Sequence, residues 1–414
     1  MKQNKNIPEG YKDSPLGIIP DEWEVKRLKD GIKELEAGVS VNSEKDATIT
    51  TNAGILKTSC ISKGIFYPQE HKKIIIEEIN KAKVNPRIGN LIISRMNTPE
   101  LVGECGYVSS TFKNLFLPDR LWQTIFFDNS CFMPKYLSYI LNTDLFKFKI
   151  KNIATGTSNS MKNITKEDWL SIKIPTPPSD EQKRIIEILS TWDKAIEKQT
   201  TLIEKLKVRK RGLMQQLLTG KRRLLVNDGK WGMVKAGEIF QNISKKGFEN
   251  EPLLSANQEH GVIPRDSLDT RVTMPTGNTK TFKLVEIGDF VISLRSFQGG
   301  IEYSYYRGIV SPAYTILKPK IKICKEFYRQ YFKSLNFIGH LAIAVIGIRD
   351  GKQISFEDFC SIKIPQPSLP EQIIIAECLN VADKEIALAK LKLQNLKDEK
   401  KGLMQVLLTG KKRV

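Results

Sequence analysis

Two long segments of the chain carry apolar residues at steps that alternate between four and three. The first row runs from Ile185 to Leu217 and the second from Ile375 to Leu407. A strict seven-residue repeat predicts long helices that pair as a left-handed coiled coil. The predicted seam consists of Ile185, Leu189, Trp192, Ile196, Ile203, Leu206, Leu213, Leu217, Ile375, Leu379, Ile386, Leu393, Leu396, Leu403 and Leu407, with Gln199, Lys210, Ala382, Ala389 and Lys400 between them.

The sequence also predicts where these helices begin and end. Ser179 follows two prolines and can cap the first helix, while Ser368 and Glu371 have the spacing of a capping box. Gly220 and Gly410 follow the last apolar turn, where a residue in the left-handed conformation commonly ends a helix. We therefore expect both helices to stop at the same point of a shared motif.

The two segments are copies of one another. At an offset of 190 residues, positions 172–224 align without gaps with positions 362–414 and share 26 identities in 53 positions. Upstream the similarity is weaker, but "IGNLIISR" at 88–95 resembles "IGDFVISLR" at 287–295, and Trp23 has a rough counterpart in Trp231. A duplication of this length predicts a repeated module rather than a short motif.

These patterns predict an α+β fold with a pseudo-two-fold internal repeat. If the two copies pair within one chain, the long helices form an antiparallel coiled coil that places the two variable, globular α/β halves at its opposite ends. We place the first domain, with its N-terminal extension, at 1–178 and the first coil helix at 179–220. The second domain then covers 221–368, and the second coil helix with its tail covers 369–414.

The composition of the chain limits the classes of function that it can have. The 414 residues carry a formal charge of +19, which favours a polyanionic partner, nucleic acid first and an anionic membrane surface second. A generally basic surface kept for solubility is the alternative that the charge leaves open. Six cysteines lie apart without a C-x-x-C pair, and the three histidines are far apart, so we expect neither a disulfide framework nor a metal site. The first residues lack an apolar core, and no apolar run reaches membrane-spanning length, so we expect a cytoplasmic protein that does not contact membranes.

A search for catalytic motifs finds no convincing active site. "GIRDGKQ" at 347–353 has glycine spacing too short for a phosphate loop, and no Ser or Thr follows its lysine. "PSDEQK" at 178–183 contains the Glu-x-Lys of some nucleases, but helix capping explains its acids better. The cationic run at 205–223 fits a solvated helix face or a surface that meets DNA or a partner, and the sequence leaves both open.

The repeated motifs resemble those of a known family. "IKIPTPPSDEQKRI" at 172–185 and "IKIPQPSLPEQIII" at 362–375 are the most specific stretches. "GLMQQLLTGKRRL" at 212–224 and the opening "GYKDSPLGIIPDEWEVKRL" at 10–28 support them. Over essentially its whole length, the chain resembles the specificity subunits of type I restriction–modification enzymes.

That resemblance implies a function without catalysis in this chain. Two target-recognition domains would each read one half of a split double-stranded DNA target, and the antiparallel coil would separate them. The subunit would recruit two methyltransferase subunits and, with restriction subunits that translocate DNA, form the nuclease. S-adenosylmethionine, ATP and Mg²⁺ are then expected on the partner subunits, with no cofactor in this chain.

Candidate DNA contacts are polar and cationic residues in loops that the two halves share. Arg, Asn and Gln can make paired contacts with base edges, whereas Lys, Ser and Thr more often hold phosphate. For each single residue an ordinary surface role stays open. The candidates are Ser94, Arg95, Asn97, Thr98, Thr157, Ser158, Asn159, Lys162, Arg295, Ser296, Gln298, Arg349 and Lys352.

Two other classes of function stay open. The chain could be a coiled-coil scaffold whose halves bind protein partners, or a methyltransferase or nuclease with an unrecognised active site. The seam from Ile185 to Leu217 would span about 50 Å at about 1.5 Å per residue. If the chain reads DNA, shortening both helices by one heptad should shorten the unread spacer and leave the half-sites unchanged.

Overall fold

The computed structural model describes residues 7–44, 52–156, 161–225, 231–267, 279–294, 296–345 and 354–414. By their contacts these residues form two compact units. Unit 1 comprises residues 1–198 and 393–414, and unit 2 comprises residues 199–392. This division crosses both long helices, whereas the predicted domain boundaries lie at the helix ends.

Unit 1 combines helices with mostly antiparallel strands, as predicted for an α+β fold; β13 and β6 pair in parallel. Its central sheet has the order β12-β10-β14-β4, and a smaller sheet has the order β13-β6-β9-β5. Its helices are α1 (Pro134–Leu141), α2 (Asp144–Ile153), α3 (Lys166–Leu170) and the first part of α4 (Ser179–Leu217). Its strands are β1 (Tyr11–Ser14), β2 (Gly17–Pro20), β3 (Glu24–Arg27), β4 (Ile32–Ala37), β5 (Ser43–Glu44), β6 (Gly54–Leu56), β7 (Ile61–Ser62), β8 (Ile65–Phe66), β9 (His71–Ile74), β10 (Leu91–Ser94), β11 (Met96–Asn97), β12 (Cys105–Tyr107), β13 (Leu115–Phe116), β14 (Leu121–Phe126), β15 (Lys162–Asn163) and β16 (Lys173–Thr176).

Unit 2 repeats this plan with different lengths. Its central sheet has the order β18-β25-β22-β23, again with antiparallel neighbours. Its helices are α5 (Ala236–Ile239), α6 (Ser296–Gly299), α7 (Lys325–Tyr331), α8 (Leu335–Val345), α9 (Phe356–Ser361) and the first part of α10 (Leu369–Leu407). Its strands are β17 (Gly232–Lys235), β18 (Phe240–Ile243), β19 (Leu254–Asn257), β20 (Gly261–Pro264), β21 (Lys283–Val285), β22 (Phe290–Ile292), β23 (Glu302–Tyr303), β24 (Gly308–Val310), β25 (Thr315–Pro319) and β26 (Lys363–Gln366).

The weakly similar upstream stretches are the central strands of the two units. In β10, Leu91 and Ile93 pack into one hydrophobic cluster while Ile92 packs into another. In β22, Phe290 and Ile292 lie in one cluster and Val291 lies in a second. A strand that is buried on both faces needs a continuous apolar run, which explains "LIIS" and "FVIS".

The long helices begin and end at equivalent residues. Helix α4 starts at Ser179 and α10 at Leu369, and both end one helical turn before a glycine. Gly220 and Gly410 both have a φ of 71°, so the prediction that they end the helices in the left-handed conformation is confirmed. Each helix follows a short strand of the repeated "IKIP" stretch, β16 or β26, which pairs with β3 or β17.

The predicted seam residues are all at least half-buried in the structure. Ile185, Leu189, Ile375 and Leu379 are almost fully buried, and Ile203 and Leu206 are also buried. The half-buried seam positions near the helix middles are Trp192, Ile196, Ile386, Leu393 and Leu396. Within unit 2, Arg209 of α4 pairs with Glu385 of α10, and the next residue of α4, Lys210, pairs with Asp383. The residue numbers of the partners increase along α4 and decrease along α10. The two segments inside this unit are therefore antiparallel.

Close approach of another helix does not explain the glycines inside the long helices. A Cβ added at Gly212 or at Gly402 would meet no atom within 4 Å outside its own neighbourhood in the described structure. The geometry removes close packing as the reason for these two glycines.

Candidate nucleic-acid interface

A buried carboxylate joins the start of α4 to the end of α10 in unit 1. Glu181 accepts a hydrogen bond from Trp23 Nε1 at 2.8 Å and another from Arg413 Nε at 2.7 Å. Its side chain is only 6% exposed. Arg413 also donates to Glu22 at 2.6 Å, and the two carboxylates raise the pKa of the guanidinium above its ordinary value. We call Glu181, Trp23 and Arg413 the carboxylate clip of unit 1.

Unit 2 has the same clip built from the other copy of each motif. Glu371, which is fully buried, accepts hydrogen bonds from Arg223 Nη2 at 2.8 Å and from Trp231 Nε1 at 3.0 Å. The Arg223 guanidinium also lies 5.6 Å from the centre of the Trp231 ring. The rough alignment of Trp23 with Trp231 is thereby confirmed, because both indoles fill the same role.

The clips correct two sequence interpretations. Glu181 and Glu371 do not act mainly as helix-capping acids, because their carboxylates bind tryptophan and arginine side chains within the same unit. For Arg223, the last residue of the cationic run at 205–223, the sequence left open a solvated helix face and a contact with DNA or a partner; Arg413 is its counterpart at the offset of 190 residues. They instead neutralise a buried charge, which a protein interior tolerates only when paired.

The glutamines that follow these glutamates hold a neighbouring helix. Gln182 Oε1 accepts a hydrogen bond from the backbone N–H of Met133, just before α1, at 2.8 Å. Gln372 Oε1 accepts one from Cys324 N–H, just before α7, also at 2.8 Å. The repeated "EQ" dipeptide is therefore a structural junction that connects each long helix to its domain.

The polar break in the seam is an ion pair in both units. Lys400 Nζ lies 2.6 Å from Asp193 Oδ1 in unit 1, and Lys210 Nζ lies 2.5 Å from Asp383 Oδ1 in unit 2. Gln199 adds a hydrogen bond of 2.9 Å to the backbone oxygen of Ala389. These polar contacts inside an apolar seam are the kind that fix helix register.

The last residue of β10 and the residues that follow it form the first candidate loop, 94–103. Ser94 is fully buried, and its hydroxyl accepts a hydrogen bond from Asn97 Nδ2 at 3.0 Å. Asn97 is 9% exposed, and its Oδ1 accepts from the N–H of Thr98. Burial and these bonds weigh against direct base contact by Ser94 and Asn97, whose role at DNA stays a prediction. Thr98 is exposed.

Strand pairing brings two predicted groups of residues together in unit 1. Asn97 in β11 lies opposite Lys162 in β15, and Lys162 Nζ donates to the carbonyl of Gly156 at 2.7 Å. The Arg95 guanidinium lies 5.8 Å from the centre of the Trp122 ring. Its Nε is buried and has no hydrogen-bond partner among the residues that the structure describes.

The residues after β22 form the second candidate loop, 293–300, which the structure describes except for residue 295. Ser296 is 1% exposed, and its Oγ accepts a hydrogen bond from the N–H of Ser293 at 2.8 Å. Gln298 is exposed on α6. Six of the predicted residues lie outside the described part of the chain, namely Thr157, Ser158, Asn159, Arg295, Arg349 and Lys352.

Comparison with known proteins identifies the module. Residues 20–208 and 228–398 match the family described as the type I restriction modification DNA specificity domain, which covers most of the chain. The chain belongs to that family. The resemblance drawn from the repeated motifs is therefore confirmed, and the two matched segments correspond to the two copies.

Two curated relatives align with the chain over nearly the full length of both proteins. The type I restriction enzyme MjaVIII specificity subunit of Methanocaldococcus jannaschii is 28% identical over 443 residues, which covers 98% of this chain and 96% of the relative. A second protein of that organism, named after the MjaX enzyme, is 28% identical over 437 residues, covering 98% and 97%.

Solved structures show the same fold. The crystal structure of a type I restriction–modification S subunit from M. genitalium aligns with a TM-score of 0.55 at 18% identity and covers 98% of both chains. A structure from work on complex assembly and conformational transition of the type I R-M system aligns with a TM-score of 0.58 at 16% identity, covering 95% of this chain and 99% of the other.

Two further properties of the described residues concern metal ions and membranes. Among the described residues, no group of three or more His, Cys, Asp and Glu side chains is arranged to hold a metal ion. In the same residues, no helix combines the length and the apolar character needed to span a bilayer.

Proposed function

We propose that the chain is the sequence-reading subunit of a type I restriction–modification enzyme and recognises a split double-stranded DNA target. The observation that carries this proposal is the duplication of one arrangement, in which a polar loop follows a doubly buried central strand in each unit. Family membership and the curated relatives, which are named specificity subunits, support it. Each unit then reads one half-site.

The charge of the chain fits this role. A formal charge of +19 on 414 residues favours contact with phosphates. In unit 1, Arg95 lies in the first candidate loop, and Lys162 lies opposite Asn97 of that loop. Lysines and arginines around such a loop hold the backbone of the duplex, while the exposed polar side chains face the bases.

The second long helix offers a surface for a protein partner. Val381, Leu388 and Leu391 are 64%, 67% and 59% exposed and follow one another at heptad-like steps on the outside of the seam. Exposed apolar rows of this kind commonly bind another helix. We assign this row to a methyltransferase subunit. The proposal includes two such subunits, restriction subunits, a cytoplasmic location, and S-adenosylmethionine, ATP and Mg²⁺ bound on the partners.

A selection experiment tests the DNA-reading role. The chain, purified with its methyltransferase partner, is incubated with a pool of random duplexes, and the bound fraction is sequenced. We expect two short conserved half-sites separated by an unread spacer of fixed length, with affinity that falls steeply as salt rises. Enrichment of no sequence, or affinity that hardly changes with salt, would refute the proposal.

The partner surface is tested separately. Leu388→Ser with Leu391→Ser should abolish co-purification of the methyltransferase subunit while leaving the fold intact by circular dichroism. The matched control is Thr201→Ser, at the exposed position of α4 that is equivalent to Leu391. Equal partner capture by the double variant and the control would show that the row is not the docking surface.

A further inference from the structure

One lysine ties together the segments around the second candidate loop. Lys333 Nζ donates to both carboxylate oxygens of Glu302 at 2.7 Å and to the carbonyl of Gly299 at 2.9 Å. It also donates to the carbonyl of Gln258, in the turn between β19 and β20, at 3.2 Å. Glu302 is 1% exposed. A single cation therefore holds α6, β23 and the neighbouring hairpin in one arrangement.

The backbone around this lysine is packed without free space. Gly300 has a φ of 81°, and a Cβ there would lie 2.0 Å from the carbonyl oxygen of Phe332. The N–H of Gly300 donates to the carbonyl of Ser296 at 2.8 Å. The end of the loop is thus pressed against the residue that precedes Lys333, so loss of the lysine contacts would release a tightly fitted turn.

In unit 1, a different lysine makes the equivalent contact with a buried glutamate. Glu104 is 7% exposed, and its two oxygens accept from Lys147 Nζ on α2 and from the N–H of Gly64 at 3.0 Å. Gly64 lies in the turn between β7 and β8. The preceding Gly103 has a φ of 80°, and its N–H donates to the carbonyl of Ser94 at 2.7 Å, which closes the first candidate loop.

The two arrangements share their parts but not their sequence positions. In each unit a buried glutamate follows a positive-φ glycine at the end of the candidate loop, and it meets a lysine and a hairpin turn. Lys147 lies inside α2, whereas Lys333 lies between α7 and α8. Because the lysines come from different places in otherwise similar units, each loop has its own lysine anchor.

We propose that Lys333–Glu302 and Lys147–Glu104 are positioning pairs, each of which fixes the recognition loop of its own unit and sets how sharply that unit discriminates between bases. The pairs act through the loop and do not touch DNA. This inference rests on the proposed DNA-reading function. Preorganised contacts need their supporting residues to hold them, so a released loop keeps phosphate binding but loses base selectivity.

The test uses the complex of the full chain with its methyltransferase partner. Binding is measured on the duplex selected by the wild type and on every single-base change in either half-site. The variants are Lys333→Met, Glu302→Gln, Lys147→Met and Glu104→Gln, with Lys322→Met as a control that removes an exposed cation of unit 2. A base mismatch typically costs about 1–3 kcal/mol, which corresponds to discrimination of roughly 5-fold to 150-fold at that position.

We expect the two unit 2 variants to reduce discrimination roughly tenfold in one half-site and to leave the other unchanged. The two unit 1 variants should do the converse. Lys333→Arg, which keeps the charge and donors, should retain most of the selectivity. A loss spread over both half-sites, or a loss equal to that of Lys322→Met, would overturn the proposal.

Hydrogen exchange separates this inference from the proposed function. Without DNA, Lys333→Met should speed exchange of the Gly300 amide at least tenfold while leaving the Gly103 amide unchanged. Unaltered exchange at Gly300 would show that the pair does not hold the loop, whatever the DNA result. A wild-type complex with no base preference would refute the DNA-reading function while the exchange data still report on the anchor.

Discussion

Replacing Glu371 by glutamine is expected to lower the free energy of unfolding of unit 2 by about 3 kcal/mol. Glu371 is fully buried and accepts from both Arg223 and Trp231. Glutamine keeps the volume and one acceptor oxygen but removes the negative charge. Breaking a buried ion pair by removing one partner costs about 3–5 kcal/mol. The Arg223 side chain is 23% exposed, so partial hydration places the loss near the lower end.

That loss should appear as a shift in the melting temperature of one unit. For domains of 150–250 residues, about 1 kcal/mol lowers the melting temperature by about 2–4 °C, so a decrease of roughly 6–12 °C is expected. Calorimetry gives the shift, and hydrogen exchange followed by mass spectrometry assigns it. Amides of residues 231–267 and 354–392 should lose protection, whereas those of residues 52–156 should not.

Two other variants, Glu377→Gln and Glu181→Gln, are compared with Glu371→Gln. Glu377→Gln removes a charge from an exposed position on the same helix and should leave the melting temperature unchanged. Glu181→Gln breaks the clip of unit 1, where Arg413 is 39% exposed and better hydrated, so about 1–2 kcal/mol is expected. Equal shifts for Glu371→Gln and Glu377→Gln, or lost protection in the wrong unit, would show that the clip does not hold unit 2 together.

Three other outcomes follow from the structure. Gly402→Ala and Gly212→Ala should each stabilise the chain by up to about 1 kcal/mol in thermal denaturation, since an added Cβ meets nothing within 4 Å; an unchanged or lower melting temperature would contradict this. Burial raises the pKa of Glu302 in the folded state, so its contribution makes stability fall as pH rises from the ordinary value of 4.5 through the raised one. Glu302→Gln should remove that part of the slope in denaturant titrations, and identical slopes would exclude it. Deleting one heptad from both long helices should shorten the selected DNA spacer and keep the half-sites, and an unchanged spacer would refute that role.

Features with a repeating or strongly local signal could be predicted from the sequence. The seven-residue period predicts α4 and α10, and the shared glycines predict their ends at Gly220 and Gly410. The apolar runs at β10 and β22 predict central strands, because burial on both faces demands unbroken hydrophobicity. Each of these follows from neighbouring residues, so no knowledge of distant contacts was needed.

The clips could not be predicted in this way because they join distant residues. Arg413 lies 232 positions from Glu181, and locally that glutamate has the ordinary features of a helix start. One signal was available. The glutamate and the arginine are both kept at the offset of 190 residues while just over half of the aligned positions differ. Two charges of opposite sign that survive duplication together indicate an ion pair.

In the candidate loops, the sequence does not show which polar residues are buried. Polar residues after a strand look like surface groups in the sequence, yet Ser94 and Asn97 bond one another in the interior. Asn and Ser side chains often satisfy the backbone and each other at turns, and this use is indistinguishable from ligand binding without a structure. The lysine anchors were missed because Lys147 and Lys333 occupy different places in the two units.

The distribution of shared and unshared contacts suggests how such a chain can change its target. The clips, the "EQ" junctions and the seam ion pairs use residues that both copies retain, and none of them lies in a candidate loop. The anchors of the loops, in contrast, differ between the copies in the position of the lysine. A loop and its anchor can therefore be replaced together without altering the contacts that attach each domain to the long helices. The contacts that attach each domain to the long helices and the loops proposed to read DNA depend on separate sets of residues. Selection for a new DNA target therefore need not compromise folding.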